Sequence, residues 1–120
     1  MLGYENEPVS DLPVILRTNE LYNSLSPITD KLPTLKRPTI GRRLEDSVLE
    51  LLELLIMAKN APKSHKAVYL IKASAKTEII EFHLRTLMEQ KFANDTTLHQ
   101  LLAKTAEIGR MNGGWLKSVQ

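Results

Sequence analysis

Residues 63 to 108 read KSHKAVYLIKASAKTEIIEFHLRTLMEQKFANDTTLHQLLAKTAEI, and this stretch contains neither glycine nor proline. Glycine and proline interrupt helices more strongly than other residues, so a stretch of this length without them is typical of helical proteins. Elsewhere the chain is rich in leucine, and no segment alternates polar and apolar residues as a half-buried strand does. The sequence therefore predicts an all-α protein without a sheet.

Four helices are predicted along the chain, over about residues 12–32, 39–60, 63–92 and 97–118. Pro27 lies inside the first and should kink it, or restart it with Ser26 as the N-cap. Ala61-Pro62 separates the second helix from the third, and Thr97 to Gln100 fits a capping box at the start of the fourth. Because short connections between long helices make neighbours antiparallel, we predict an up-down-up-down four-helix bundle.

Apolar residues at helical spacing indicate which faces point into the bundle. The third helix carries two neighbouring rows, and we expect both to be buried. The first row is Val68, Ile71, Ala75, Ile79 and Phe82, and the second is Ile80, Leu84 and Leu87. In the fourth helix, Gly109 and Gly113 share a face, and their cost in helix propensity predicts close approach of another backbone.

The chain has 120 residues, a formal net charge of +2 and no cysteine. A chain of this length normally folds as one domain, so we expect an acidic tail over residues 1–11 and the bundle over residues 12–120. The lack of cysteine excludes disulfides, thiolate zinc sites and a cysteine nucleophile, and favours a reducing, cytoplasmic compartment. The longest apolar run, Leu54 to Ala58, is far shorter than the ~20 residues of a membrane span.

Catalytic sites find little support in the sequence. Di-iron bundles carry Glu-x-x-His motifs, and none of the three histidines has a glutamate three residues before it. No serine lies in a strand-to-helix elbow of the kind that positions a catalytic triad. We predict no enzymatic activity, no metal and no cofactor.

Basic residues form two clusters. The lysine cluster comprises Lys59, Lys63, Lys66, Lys72 and Lys76, in a stretch without any acidic residue, and Tyr69 shares a helix face with Lys72 and Lys76. The arginine cluster comprises Lys36, Arg37, Arg42 and Arg43. Both clusters lie near predicted helix N-termini, which favour anions, and Tyr69 adds a ring that can stack on bases.

We predict that both clusters and Tyr69 contact nucleic acid, and that the lysine cluster is not neutralised by neighbouring acids. A solvated basic face is an equally weighted alternative. In an antiparallel bundle the two clusters should lie at opposite ends, with the acidic tail, which includes Glu5, Glu7 and Asp11, close to the lysine cluster.

Several segments resemble a known family of small four-helix bundle proteins. They are Leu25-Ser26-Pro27-Ile28, Lys31-Leu32-Pro33, Phe82-His83-Leu84-Arg85-Thr86-Leu87 and Ala106-Glu107-Ile108-Gly109-Arg110-Met111-Asn112-Gly113-Gly114-Trp115-Leu116. The family includes the accessory variability determinant (Avd) of diversity-generating retroelements and the proteins encoded in intervening sequences of bacterial 23S rRNA genes. The resemblance covers nearly the whole chain from Leu12.

The resemblance implies a homo-pentameric barrel of bundles with a basic surface. Avd-like proteins bind RNA or DNA and the retroelement reverse transcriptase, and support mutagenic copying of a template RNA into cDNA. The family has no catalytic residues to carry over. Its intervening-sequence branch implies an alternative, a protein-interaction scaffold of unknown role, and the motifs do not separate the two branches.

Overall fold

A computed structural model describes residues 11–120 of the chain. Apart from Asp11, the predicted acidic tail lies outside the described residues. The structure there consists of α1 (Asp11–Asn23), α2 (Ser26–Thr29), a π-helical turn (Arg37–Gly41), α3 (Arg42–Asn60), α4 (Lys63–Glu89) and α5 (Asp95–Val119). Between residues 11 and 120 there is no strand, which confirms the all-α prediction.

Each of the four long helices packs against two of the others, so that together they form a bundle. Helix α1 contacts α3 and α5, and α4 contacts the same two helices from the other side. Only residues 61–62 separate α3 from α4, and residues 90–94 separate α4 from α5, so these pairs must run antiparallel. The arrangement fits the predicted four-helix bundle. None of the helices described between residues 11 and 120 is both long enough and apolar enough to span a bilayer.

The helix boundaries confirm one local prediction and correct two. Helix α1 stops at Asn23 and the chain restarts in α2, with Pro27 in the first turn where its missing N–H is tolerated. Ser26 is not the cap, because Leu25 occupies that position. The capping box at Thr97 is also wrong, since Asn94 caps α5 by accepting a hydrogen bond from the Thr97 backbone N–H at 3.1 Å. Asparagine is as good an N-cap as serine or threonine.

The core prediction for α4 is half right. Ile80, Leu84 and Leu87 are fully buried, as expected. The other predicted row is wrong, because its large members are exposed, up to 70% for Phe82. The buried stripe instead continues towards the start of the helix through smaller or polar side chains, namely Leu70, Ala73 and Thr77. A helix that packs against two neighbours buries one stripe, and the two predicted rows together were too wide for it.

Helices α4 and α5 are joined by one buried polar contact. The Asn112 side-chain amide donates hydrogen bonds to the Leu70 carbonyl and to the Ser74 hydroxyl, both at 2.9 Å. The prediction of close backbone approach at the α5 glycines is wrong at Gly113, where an added Cβ would meet nothing within 4 Å. At Gly109 the nearest atom would be the Thr77 hydroxyl oxygen at 3.7 Å, an ordinary contact.

Candidate nucleic-acid interface

The flank of α4 that faces α3 carries the aromatic and basic residues of the predicted helix face. Tyr69 lines a depression beside the end of α3, and Lys72 and Lys76 line the next one, a pocket of about 420 Å³. A third pocket adjoins the second, with which it shares Glu50 and Lys76, and we call these three neighbouring depressions the α3–α4 groove. The structure therefore brings Tyr69, Lys72 and Lys76 together along one concave surface.

Acidic residues of α3 line the opposite wall of the groove. The Lys76 ammonium lies 2.5 Å from a carboxylate oxygen of Glu50, and Glu53 lines the same pocket as Lys72. The prediction that the lysine cluster escapes neutralisation is therefore wrong for Lys76. The acids belong to a different helix, so the absence of acids from the lysine segment itself did not reveal them. Within residues 11–120, Lys72 forms no ion pair.

Lys66 has a structural partner. Its ammonium donates hydrogen bonds to the backbone carbonyls of Ala58 at 2.8 Å and Lys59 at 3.0 Å, both in the last turn of α3. The carbonyls at a helix C-terminus lack intrahelical partners, and a cation there also complements the helix dipole. Lys66 therefore caps α3, whereas Lys63, at the start of α4, is exposed.

The arginine cluster divides into two pairs. Lys36 and Arg37 hold the connection before α3: the Lys36 ammonium lies 5.6 Å from the centroid of the Phe92 ring, and Arg37 donates to the Leu32 carbonyl at 3.3 Å. Arg42 lies 3.9 Å from Asp46 within α3. Arg43 forms no ion pair in the described part of the chain.

The two clusters are not fully separated, which corrects the prediction that they lie at opposite ends. Arg42, Arg43 and Lys76 line one pocket. Helix α4 has 27 residues and α3 has 19, so Lys76, near the middle of α4, reaches the first turns of α3. Lys66 remains at the other end of α3, where it contacts the last turn of that helix.

His83 lines the same pocket and was not among the predicted site residues. It is half-buried, and its pKa is lowered from the ordinary value of 6.5, first by burial and then by the positive charges of Arg43 and Lys76. The spacing of Lys76, Ile79 and His83 along α4 is the sequence signal that identifies it in retrospect.

The outer face of α4, directed away from the core, is apolar. We call it the α4 outer face, and it comprises Val68, Ile71, Ala75, Ile79 and Phe82, all of them exposed. Single exposed apolar residues are common on protein surfaces, whereas larger exposed apolar patches are typical of surfaces that contact other molecules. This face borders the α3–α4 groove at Ala75 and Ile79.

Over the described range, no three histidine, aspartate or glutamate side chains are grouped so as to hold a metal ion. No curated protein matches the chain significantly. A family model described as bAvd-like matches residues 14–119, which include all of α3, α4 and α5 and most of α1. That match confirms the resemblance seen in the sequence, and the chain belongs to the bAvd-like family.

Proposed function

We propose that this protein is a non-catalytic accessory factor that binds nucleic acid. In this proposal it acts with the reverse transcriptase of a diversity-generating retroelement in the mutagenic copying of template RNA into cDNA. Membership of the bAvd-like family supports the retroelement context. The observation that carries nucleic-acid binding is the α3–α4 groove, where cations from two helices line a concave surface beside an aromatic ring.

The groove suits single strands better than duplex. Tyr69 offers a ring on which unpaired bases can stack, while Lys72 and Arg43 can neutralise phosphates. No groove-reading helix or fixed base pocket is needed for such contacts, so we expect little sequence preference. Phosphate contacts from Lys63, at the exposed start of α4, would extend the same path.

We further propose that the protein assembles as a homo-pentamer through the α4 outer face. Burial of this row would remove about 1.5–3 kcal/mol of unfavourable exposure for each large apolar side chain. Assembly would also strengthen nucleic-acid binding, because five copies multiply the formal charge of +2 fivefold and phosphate neutralisation is additive.

A protein-interaction scaffold is the second candidate function, and the α4 outer face is the observation that favours it. A scaffold would use this face to hold a partner protein and would leave the groove without a ligand. It predicts that the purified protein captures a partner yet has no affinity for RNA or DNA even in dilute salt.

Fluorescence anisotropy with labelled single-stranded RNA, single-stranded DNA and duplex DNA over a series of salt concentrations tests nucleic-acid binding. We expect log affinity to fall linearly with log salt concentration, and the double variant Arg43→Gln, Lys72→Gln to reduce the slope by about 0.7–0.9 for each lost contact. The matched control is Lys104→Gln, Arg110→Gln, which removes two exposed cations from α5. Equal loss in both double variants would contradict a specific role for the groove.

The reverse-transcriptase part of the proposal needs a separate experiment. Genes that neighbour this one should encode a reverse transcriptase and a template/variable repeat pair. Co-purification of that enzyme with the tagged protein, after nuclease treatment, is the expected result. Failure of the two proteins to associate would remove the retroelement role and leave nucleic-acid binding standing.

A further inference from the structure

A polar pocket lies at one end of the α3–α4 groove, between the first half of α3 and the middle of α4. Its volume is about 460 Å³, and it is lined by Pro38, Arg42, Arg43, Asp46, Ser47, Glu50, Lys76, Ile79 and His83. Two features of this lining indicate that a ligand completes it.

The first feature is a hydroxyl that has no protein partner within residues 11–120 and is open to the pocket. Ser47 is only 6% exposed, yet its hydroxyl has no hydrogen-bond partner among the described residues. Among the described residues, this hydroxyl oxygen is not one of the fully buried atoms without a partner, so it is accessible from the pocket. The hydroxyl lines the pocket, so an acceptor bound there would satisfy it.

The second feature is the distribution of charge. The two acids in the lining have cationic neighbours: Asp46 lies 3.9 Å from Arg42, and Glu50 lies 2.5 Å from Lys76. Arg43 has no such carboxylate within residues 11–120, and His83 adds a ring that can become cationic. The pocket therefore keeps an excess of positive charge.

We infer that this pocket binds a tetrahedral oxyanion, a phosphate group, held by the Arg43 guanidinium, the Ser47 hydroxyl, the Lys76 ammonium and the His83 ring. Arginine is suited to this role because its planar donors match the oxygens of a phosphate. Lys76 contributes as it turns from Glu50 towards the anion. The inference rests on the proposed function where the phosphate belongs to nucleic acid, and it adds His83 and Ser47 to the site.

Binding should be coupled to a proton. The charged groups around His83 are Arg42, Arg43, Asp46 and Glu50 from α3 and Lys76 from α4, while the π-helical turn contributes only Pro38. Burial, and after it the positive charges of Arg43 and Lys76, lower the pKa of His83, and an anion among these groups offsets the effect of the charges. The pKa of His83 must then rise on binding, so affinity increases as the pH falls from the bound-state pKa towards the free-state pKa.

Histidine-selective NMR with sulfate as the probe tests the pocket directly. Sulfate has the shape of phosphate, and its charge does not change near neutral pH. We expect sulfate to raise the pKa of His83, and the signals of His65 and His99, which do not line the pocket, serve as internal references. Comparison with chloride at equal ionic strength removes general screening.

Substitutions should distinguish sulfate binding by the pocket from a general effect of the net charge of the protein. Arg43→Gln and Ser47→Ala should each weaken sulfate binding about tenfold, since each removes a donor to a charged group. Arg110→Gln, which removes an exposed cation of α5, should change it little. Arg43→Lys retains the charge but loses the planar fork, so it should bind sulfate more weakly than the parent. Circular dichroism establishes that each variant is folded.

A short single-stranded oligonucleotide distinguishes the sources of the phosphate. If it raises the pKa of His83 as sulfate does, the pocket takes a phosphodiester of nucleic acid. If sulfate acts and the oligonucleotide binds without affecting His83, the pocket takes free oxyanions and the inference still stands. If sulfate leaves His83 unchanged, or moves all three histidines equally, the inference is wrong, whereas salt-dependent binding of the oligonucleotide would still support the proposed function.

Discussion

The ammonium of Lys76 lies 2.5 Å from a carboxylate oxygen of Glu50 and joins the middle of α4 to α3 across the groove. The Lys76 side chain is 28% exposed and that of Glu50 is 51% exposed, so solvent screens this pair in part. In the proposed interface, the Glu50 carboxylate and a phosphate oxygen compete for the same ammonium. Nucleic-acid affinity should therefore depend on an acidic residue as well as on the cations.

Substitution Glu50→Gln should strengthen binding of single-stranded RNA. The change removes a competing negative charge a few ångströms from the expected phosphate, worth about 1 kcal/mol or roughly a fivefold gain in affinity at low salt. Anisotropy titration measures the effect. Glu78→Gln, on an exposed position of the same helix as Lys76, is the charge-matched control and should give a smaller gain. Equal gains in both variants would show that only net charge matters.

Lys66 and Lys63 should behave differently although both belong to the lysine cluster. Lys66→Gln removes the cap of α3 and should lower the free energy of unfolding by about 1 kcal/mol. Lys63→Gln removes an exposed cation from a helix N-terminus, where it opposes the dipole, and should leave stability equal or slightly higher. Urea unfolding of the two variants measures this difference.

The variants Lys63→Gln and Lys66→Gln should also differ in nucleic-acid binding, where the larger effect is expected from Lys63→Gln. Lys63→Gln should reduce the slope of the salt plot by about 0.7–0.9, whereas Lys66→Gln should change it much less, because the ammonium of Lys66 is already committed to the carbonyls of Ala58 and Lys59. A full loss of slope in folded Lys66→Gln would mean that its ammonium leaves α3 to bind phosphate.

His83 should make the folded state sensitive to mild acid. Its pKa in the folded protein lies below the ordinary value of 6.5, so the unfolded chain binds more protons at pH values between the two. Stability must therefore fall as the pH drops through 6.5 towards the folded-state pKa, and then become constant with respect to this group. Urea unfolding midpoints measured above and below pH 6.5 should differ less in His83→Gln than in the parent protein. The control is His99→Gln, at an exposed position, which should show the same change of midpoint with pH as the parent.

The helical architecture followed from local features of the sequence, and the composition of the site did not. Glycine and proline positions divide the chain into helices because their effects act within a turn or two of backbone. The pairing of Lys76 with Glu50 depends on which residues of α3 and α4 lie side by side, which a charge count along one segment does not contain. Lys66 was assigned to phosphate for the same reason, since its carbonyl partners belong to the preceding helix.

The buried face of α4 also could not be predicted from the hydrophobicity of its residues. Val68 and Phe82 have the hydrophobicity of core residues, while Ala73 and Thr77, which are buried, are small or polar. Ranking faces by hydrophobicity therefore favoured a row that faces outward. In the proposed assembly this row is buried by another subunit, which the sequence of one chain does not describe.

The proposed subunit contact can be tested at the residues of that row. Phe82→Ser should leave the fold of one subunit intact, since the side chain is 70% exposed, but it should shift the protein from oligomer towards monomer. Loss of a buried phenylalanine in each contact would remove about 1.5–3 kcal/mol, which weakens each contact roughly tenfold to a hundredfold. Light scattering over a range of concentrations measures the mass. Leu16→Ser, which changes an exposed leucine of α1 outside the row, is the matched control and should leave assembly unchanged. A parent protein that remains monomeric at micromolar concentration would contradict the pentamer. An oligomer that tolerates Phe82→Ser but not Leu16→Ser would show that the subunits contact each other through α1 rather than α4.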